Sequence, residues 1–494
     1  MRLVFAAIGI ALCAPAAAPA ATVEEMIPAI DKIMGDWQQT APQPGFVYGI
    51  VKDGRLVHAR GFGVQDLEAR RPVTPDSLFR IASMSKAFTA MAILKLRDEG
   101  KVRLDDPAER YVPELRGWRY PTADAPRIQV SDLLAHTAGF VEDNPWGDRQ
   151  QPLSEADFSR LLRAGVPWSR APGLAMEYSN LGYALLGRIV RNASGQSYQS
   201  YIERALFRPL GMSSTGFDVL ASPPERRAIG YRWQDGTWLR EPDMADGTFG
   251  AMGGVETSAN DYAKWVAFIL SAWPARDDPD RGPVKRATVR EIIEGRNMPR
   301  GADRPTSVGG APCRQAVTYA MGWSVVEDCD LGRVVTHSGG YPGYGSIVYL
   351  LPDKGVGIFA FSNRTYSSGA VAAQRALLAL EKAGALPART LPVSPGLAEA
   401  YAAAKAVWAR GDVTGAPLAE NFLMDRDADR WKAEIARVKR DVGACAATEE
   451  IAPISAMEGN FTWSCATGKL RGRVQRAPTP AVTIQALSYA VATP

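Results

Sequence analysis

The run Ser83-Met84-Ser85-Lys86 has residue types and spacing suited to nucleophilic chemistry, and it is the only S-x-x-K in the chain. At positions i and i+3 of a helix, the Ser83 hydroxyl and the Lys86 amine lie on one face. A lysine buried beside a serine tends toward a lowered pKa, so it can accept or relay the serine proton. Backbone N–H groups at a helix start also favour developing negative charge. The alternative is a capping serine followed by an unrelated lysine.

Two further short motifs follow in the chain. Tyr178-Ser179-Asn180 precedes a helical stretch, and His337-Ser338-Gly339-Gly340 precedes a strand-like run. Three such pieces in this order resemble the serine β-lactamase/penicillin-binding family, especially its class C-like branch, where Tyr-x-Asn replaces Ser-Asp-Asn. That branch contains class C β-lactamases, D,D-carboxypeptidases, D-aminopeptidases and related esterases. The resemblance runs from about Gly45 to Asn363 and includes the phrase Asp132-Leu-Leu-Ala-His-Thr-Ala-Gly139.

The resemblance implies a role for each matching residue of the first two motifs. Ser83 is the expected acylated nucleophile, and Lys86 and Tyr178 are expected to share the proton transfers. Which of these two is the formal base stays open, because a tyrosine can serve only with a nearby cation or a concerted proton movement. Asn180 is expected to hold Lys86 and the carbonyl region of the substrate.

The third motif is expected to bind substrate. The resemblance implies an oxyanion hole made by the backbone N–H groups of Ser83 and Gly340. Gly339 is expected to let the substrate backbone approach the strand edge, since a side chain would block it. His337 stands where lactamases and D,D-carboxypeptidases carry lysine, so a fixed positive charge is missing. If the imidazole contacts substrate, its titration is expected between about pH 5.5 and 7.5; the alternative is a histidine that only fixes loop structure.

The sequence around these motifs predicts both strands and helices. An Asp-Gly pair at residues 53–54 between two β-rich runs predicts a hairpin. A helix that is apolar on nearly all sides is predicted to follow from Ser83 to Glu99 and to end at Gly100. Residues from about 105 to 260 favour short helices joined by Pro/Gly-rich loops. The predicted strands are 46–51, 56–63, 346–351 and 356–362, and further predicted helices are 181–190, 258–270 and 370–382.

The predicted fold class is α/β (α+β). The resemblance implies an antiparallel sheet flanked by helices, with a mostly helical subdomain and the active site between the two. This serine hydrolase domain is expected over residues 22–385. Three prolines at 387, 392 and 395 predict a linker over 386–396. Residues 397–494 predict a small α+β domain, with helices at 397–410 and 427–442 followed by alternating strand patterns.

Composition narrows the possible partners. The 57 basic residues nearly balance the 53 acidic ones over 494 residues, which gives no basic patch for nucleic acid. The three histidines, His58, His136 and His337, are far apart and do not have metal-ligand spacing. We therefore expect no nucleic-acid partner and no metal. The resemblance implies a reaction without a cofactor on a small molecule or short peptide. His136 is expected to be structural, and the sequence leaves the oligomeric state open.

The first 21 residues have the layout of a secretory signal peptide. A basic start, eleven apolar residues and a run of small residues predict cleavage after Ala20 or Ala21. A membrane-spanning anchor is the alternative, but eleven apolar residues are too few for one. A lipid anchor at Cys13 is disfavoured by Leu12, which stands where a small residue is expected. The prediction is a protein without a stable membrane anchor, periplasmic or extracellular.

Removal of that segment leaves four cysteines, an even number for an oxidising compartment. Of the three possible connectivities, pairing between sequence neighbours is the simplest, namely Cys313 with Cys329 and Cys445 with Cys465. No pair has Cys-x-x-Cys spacing, so a redox role is not expected.

These expectations lead to a secreted serine hydrolase that forms an acyl-enzyme and cleaves an amide or ester. Small or D-amino-acid-containing peptides are the leading substrates, with an esterase as the close alternative. A β-lactamase-like enzyme or a slowly deacylating penicillin-binding sensor is a further alternative. An inactive scaffold is disfavoured, since Ser83, Lys86, Tyr178 and Asn180 are all present.

Overall fold

The computed structural model describes residues 21–144, 146–304 and 310–492. They divide into two compact units. The first holds the described residues up to Leu270 together with Gly282–Pro387, and the second holds Ser271–Arg281 and the residues from Ala388 onward. The segment 271–281 therefore groups with the C-terminal residues, which the sequence does not suggest. Apart from Ala21, the predicted signal peptide lies outside the described residues.

The first unit contains twelve strands and nine α-helices within the described residues. The helices are α1 Val23–Thr40, α2 Lys86–Asp98, α3 Val130–Leu134, α4 Glu155–Ala164, α5 Asn180–Ser194, α6 Tyr198–Ile202, α7 Ala259–Leu270, α8 Arg286–Glu291 and α9 Ala370–Lys382. The strands are β1 Gly45–Lys52, β2 Arg55–Gly63, β3 Phe79–Arg80, β4 Tyr231–Gln234, β5 Thr237–Arg240, β6 Glu256–Thr257, β7 Arg300–Arg304, β8 Cys313–Tyr319, β9 Ser324–Asp328, β10 Gly332–Tyr341, β11 Tyr344–Leu351 and β12 Val356–Ser362.

Eight of these strands form one antiparallel sheet in the order β2-β1-β12-β11-β10-β9-β8-β7. The β1–β2 hairpin turns at Asp53 and Gly54, both with positive φ, as the Asp-Gly pair predicts. In the middle of the sheet, Gly339 of β10 pairs with Ser346 of β11. The predicted antiparallel sheet flanked by helices is confirmed.

Apolar side chains cover both faces of the central strands. On one face Phe46 and Ile50 of β1 share a buried cluster with Met34 of α1 and Leu377 of α9. On the other face Tyr262 of α7 packs with its ring centroid 5.2 Å from that of Phe359 in β12. Burial on both faces explains why the central strands read as continuous apolar runs instead of alternating ones.

One predicted element near the site needs correction. Ser83 does not lie on the α-helix but on a 3₁₀ turn, Ala82–Ser85, and the α-helix begins at Lys86. The His337 motif precedes the Ser346 strand, as expected, and itself lies within β10. Strands β7, β8 and β9 were not predicted, because their residues alternate too weakly to give a strand pattern.

The second unit is a small α+β body. Its elements are α10 Pro395–Arg410, α11 Phe422–Asp425, α12 Ala428–Val442, β13 Cys445–Ala446, β14 Ala452–Pro453, β15 Glu458–Cys465, β16 Gly468–Arg476 and β17 Ile484–Val491. Strands β13, β15, β16 and β17 form an antiparallel sheet in that order, and β14 pairs with β15. Trp463 and Tyr489 of the sheet pack with Trp408 of α10, so the unit has an aromatic core of its own.

The four remaining cysteines form two disulfides, Cys313–Cys329 and Cys445–Cys465. This is the sequence-local pairing. Asp328 and Asp330 lie beside the first disulfide, but both carboxylates pair with the Arg304 guanidinium. Oxidised sulfurs and neutralised carboxylates do not fit a metal ion. Among the described residues, no helix combines the length and apolarity needed to cross a bilayer.

Candidate active site

The Ser83 turn connects strand β3 to helix α2. Ala82, directly before the serine, has a φ of 49°, a strained conformation for a residue with a Cβ. The turn is held by two bonds to one neighbouring residue: the Ile81 N–H donates to the Val255 carbonyl, and the Val255 N–H donates to Ser85 Oγ. The sharp reversal places the Ser83 side chain at the wall of a cleft, with 8% of its surface exposed.

Lys86 is fully buried beside that serine. Its Nζ donates to Ser83 Oγ at 3.1 Å, to Asn180 Oδ1 at 2.8 Å and to the Met252 carbonyl at 2.8 Å, which uses all three ammonium donors. Burial lowers the pKa of Lys86 to about 7, against the opposing charges of Asp148 and Asp143. The amine is therefore close to equally charged and neutral near neutral pH, as a group that must take and return a proton requires.

Tyr178 stands at the start of helix α5, on the other side of the lysine. Its ring centroid lies 4.8 Å from Lys86 Nζ. Burial raises the pKa of the Tyr178 phenol well above its ordinary value, while a hydrogen bond with Ser83 lowers it. The resting side chain is thus a neutral phenol in contact with both the serine and the lysine.

The start of α5 is held by two residues that the sequence does not identify as partners. Asp143 accepts hydrogen bonds from the backbone N–H groups of Asn180 and Leu181, at 2.6 and 2.8 Å. His136 Nδ1 accepts from the Ser179 N–H at 3.1 Å, and its ring centroid lies 4.3 Å from that of Tyr178. These contacts fix the direction of the Tyr178 and Asn180 side chains. His136 therefore lies under the site, where a structural role suits its buried, neutral ring.

His337 of β10 reaches the same cleft from the sheet. Its Nδ1 lies 2.6 Å from the Ser338 carbonyl and must carry the proton, so Nε2 accepts from the Tyr319 hydroxyl at 3.0 Å. Burial, reinforced by the charge of Lys86, lowers the pKa of His337 to about 3. The imidazole is neutral through the physiological range. The expected titration between pH 5.5 and 7.5 is therefore wrong, because burial dominates over the ordinary value.

Gly339 and Gly340 differ in what they face. A Cβ on Gly339 would collide with the Ile81 carbonyl and Ser346 Oγ, so this glycine lets β10 pack against the Ser83 turn. The expectation that it also lets substrate backbone approach the strand edge stays a prediction. Gly340 lines the cleft, and a Cβ there would come 2.6 Å from the ring of Tyr366. Ser83 and Gly340 therefore border one cavity, as an oxyanion hole made by their N–H groups requires.

The cleft has a volume of about 760 Å³ and collects residues from distant parts of the first unit. Its lining comprises Ser83, Glu142, Asn144, Asp148, Met176, Glu177, Tyr178, Arg300, Tyr319, Ser324, His337, Ser338, Gly340 and Tyr366. Sequence reasoning missed Asp148 and Tyr366, which face each other across a 2.9 Å hydrogen bond from the tyrosine hydroxyl. The positive φ of Tyr366, 55°, marks a strained position at this wall, but φ cannot be read from sequence.

Comparisons with known proteins agree with this architecture. The chain is 31% identical over 339 residues to Protein flp of Staphylococcus aureus (strain N315), a match that covers 68% of this chain and 62% of the relative, less than two thirds of its length. It is 26% identical over 320 residues to Penicillin-binding protein 4* of Bacillus subtilis (strain 168), which covers 63% of this chain and 66% of that protein.

Two solved structures share the fold. The octameric penicillin-binding protein homologue from Pyrococcus abyssi superposes with a TM-score of 0.59 at 22% identity, over 91% of this chain and 96% of that one. D-alanine carboxypeptidase AmpC from Burkholderia cenocepacia gives 0.56 at 22% identity, over 72% of this chain and 99% of that one. The family model described as Beta-lactamase matches residues 30–381. This chain belongs to the Beta-lactamase family, the serine β-lactamase/penicillin-binding superfamily.

Proposed function

We propose that this protein is a serine hydrolase that forms an acyl-enzyme at Ser83 and cleaves amide or ester bonds of small or D-amino-acid-containing peptides. The observation that carries the proposal is the contact between Lys86 Nζ and Ser83 Oγ, with the Tyr178 ring beside the same amine. A hydroxyl, a buried amine with a pKa of about 7 and a phenol in one cluster can pass a proton in either direction.

In the proposed first step, Ser83 Oγ attacks the substrate carbonyl carbon as its proton leaves toward Lys86 or Tyr178. The oxyanion that forms is stabilised by the N–H groups of Ser83 and Gly340, each contributing about 3–4 kcal/mol by the usual scale. Asn180 Oδ1 holds the lysine in place during the transfer. The intermediate then collapses, the C–N or C–O bond breaks, and the leaving amine or alcohol takes the proton.

In the second step, water attacks the acyl-enzyme. Its proton moves to the Lys86–Tyr178 pair, the ester bond to Ser83 breaks, and Oγ recovers a proton as the acid product leaves. Every group in this cycle is a side chain or N–H of the chain itself. The same cycle with slow water attack gives a penicillin-binding protein, which is the activity in the name of the Bacillus subtilis relative.

The proposal includes export of the protein from the cytoplasm. The first 21 residues have the layout of a signal peptide, and both pairs of remaining cysteines form disulfides, which persist in oxidising compartments. N-terminal sequencing of protein recovered from the periplasm or medium should begin at residue 21 or 22. Recovery of full-length protein from the reducing cytoplasm only would overturn export.

Activity is tested by a panel of p-nitrophenyl esters and of D- and L-alanyl anilides, with mass spectrometry of the protein during turnover. Hydrolysis together with a covalent adduct supports the proposal, and preference among the three classes assigns peptidase or esterase. A stable adduct with a β-lactam but no turnover of any substrate would assign the binding-protein alternative. Absence of both hydrolysis and adduct would overturn the proposed function.

The pH dependence of kcat/KM should follow the protonation state of Lys86. Below its pKa of about 7, Lys86 is protonated and cannot accept the serine proton, so kcat/KM should fall about tenfold per pH unit. Above pH 8 it should reach a plateau. Initial rates on one neutral ester between pH 5.5 and 9 measure this. A profile flat across pH 7 would contradict a proton-accepting lysine.

Tyr178→Phe should lower kcat by at least about 10²-fold, the usual scale for a lost acid–base group, with a smaller change in KM. Phenylalanine keeps the ring against His136 and removes only the hydroxyl. Tyr366→Phe removes a phenol from the same cleft and serves as the matched control, with an expected loss below about tenfold. Near wild-type turnover by Tyr178→Phe would leave Lys86 as the only proton carrier.

A further inference from the structure

The cleft at Ser83 continues into a second chamber of about 590 Å³. The two cavities share four lining residues, namely Met176, Arg300, Tyr319 and Ser324. The second chamber is lined by residues between 296 and 300, by the end of β8, by the start of β9, and by residues from 132–137 and 173–176. A substrate bound at Ser83 can therefore extend past His337 and Tyr319 toward Arg300 at the start of β7.

Arg300, the first residue of β7, stands where the two chambers meet. Its side chain is exposed, and within the described ranges no carboxylate or other side chain pairs with its guanidinium. The two other arginines nearby differ in this respect. Arg296 pairs with Glu291 at 3.0 Å, and Arg304 is bound by Asp328 and Asp330. The positive charge of Arg300 is thus available to a ligand.

The other groups around the cleft do not replace this charge. His337 is neutral, and Lys86 is buried with all three of its donors engaged. Three acidic side chains line the cleft. Asp148 accepts from Tyr366, Glu177 pairs with Arg170 and accepts from Ser169, and the exposed Glu142 accepts from the Asn144 N–H. The second chamber has one carboxylate in its lining, Asp132, which is engaged by the Gln129 N–H and the Thr137 hydroxyl.

We propose that Arg300 is a specificity-determining residue that binds a carboxylate on the part of the substrate extending from Ser83 into the second chamber. A guanidinium can bind a carboxylate through two parallel N–H···O bonds, which is both selective and directional. This inference rests on the proposed function, because it supplies the substrate class for that same site. In this inference, the positive charge that a lysine at position 337 would supply comes instead from Arg300 on β7, an edge strand of the sheet.

The test uses two short peptide esters that are identical except that one ends in a carboxylate and the other in a carboxamide. Arg300→Gln should lower kcat/KM for the carboxylate ester by about 10- to 100-fold, mainly through KM, and change the carboxamide ester less than about threefold. Arg300→Lys keeps the charge and should recover part of the loss. Arg314→Gln, an exposed arginine on β8 that lines neither chamber, is the matched control and should leave both values unchanged.

Binding to the Ser83→Ala variant separates this inference from the proposed function, because no turnover is needed. Calorimetry should give tighter binding of the carboxylate peptide than of the carboxamide peptide, and Arg300→Gln in that background should remove the difference. An unchanged ratio of affinities, or no binding of either peptide, would overturn the role of Arg300. Loss of turnover in wild-type protein with this binding difference intact would overturn the proposed function alone.

Discussion

Replacing Ser83 with alanine is expected to abolish hydrolysis of every substrate that the protein turns over, with kcat/KM reduced by at least about 10⁴-fold. The attacking oxygen is lost, and no other group among the described residues combines a hydroxyl with a bond from the buried Lys86 amine. Thermal stability should change little, because the hydroxyl lies at the cleft wall. Turnover, labelling by a fluorophosphonate or β-lactam probe, and thermal unfolding of the variant measure these effects.

The matched control for this prediction is Ser324→Ala. Ser324 also lines the cleft, but it lies on β9 and does not contact Lys86. This variant should still be labelled at Ser83. Retained labelling of Ser83→Ala, at Ser85 or any other serine, would show that the nucleophile is a different residue.

Replacing Lys86 with methionine should lower kcat/KM by at least about 10³-fold and remove the inflection near pH 7. Methionine fills a similar volume without a proton to exchange, so Ser83 Oγ loses its nearest acceptor. The Asn180 Oδ1 and Met252 carbonyl acceptors also lose their donor. Rates between pH 5.5 and 9, for wild type and variant on the same ester, provide the measurement.

Lys95→Met on the same helix is the control for Lys86→Met. Lys95 lies at the far end of α2, where it donates to the Pro283 carbonyl away from the cleft. It should retain both the rate and the pH profile of the wild type. Survival of the inflection near pH 7 in Lys86→Met would assign that titration to another group and leave Tyr178 as the base.

Sequence patterns can predict some parts of the site in the first unit. The S-x-x-K and Tyr-x-Asn spacings are local, and each is fixed by the start of one helix, so Ser83, Lys86, Tyr178 and Asn180 could be named in advance. The hairpin at Asp53-Gly54 and helix α9 were also predictable, since turn chemistry and apolar spacing act over a few residues. The structure brings the four side chains together, as the resemblance implied.

The remaining features depend on contacts between distant segments. Tyr319 and Arg300 line the cleft because β7 and β8 extend the sheet beyond β9, and their short strands carry no clear sequence signal. The low pKa of His337 results from burial and from the nearby charge of Lys86, and neither that burial nor that proximity is visible in the sequence. The close approach of Gly339 to the Ser83 turn likewise joins segments that are far apart in the sequence.

Mapping the covalent intermediate tests the central claim most directly. The protein is mixed with an activated ester or a β-lactam, quenched in acid within the first turnovers, digested and analysed by mass spectrometry. The account predicts a mass increase equal to the acyl group on the peptide that contains Ser83, localised to Ser83 by fragmentation. An acyl group on a different residue, or product release with no covalent intermediate at any quench time, would contradict it.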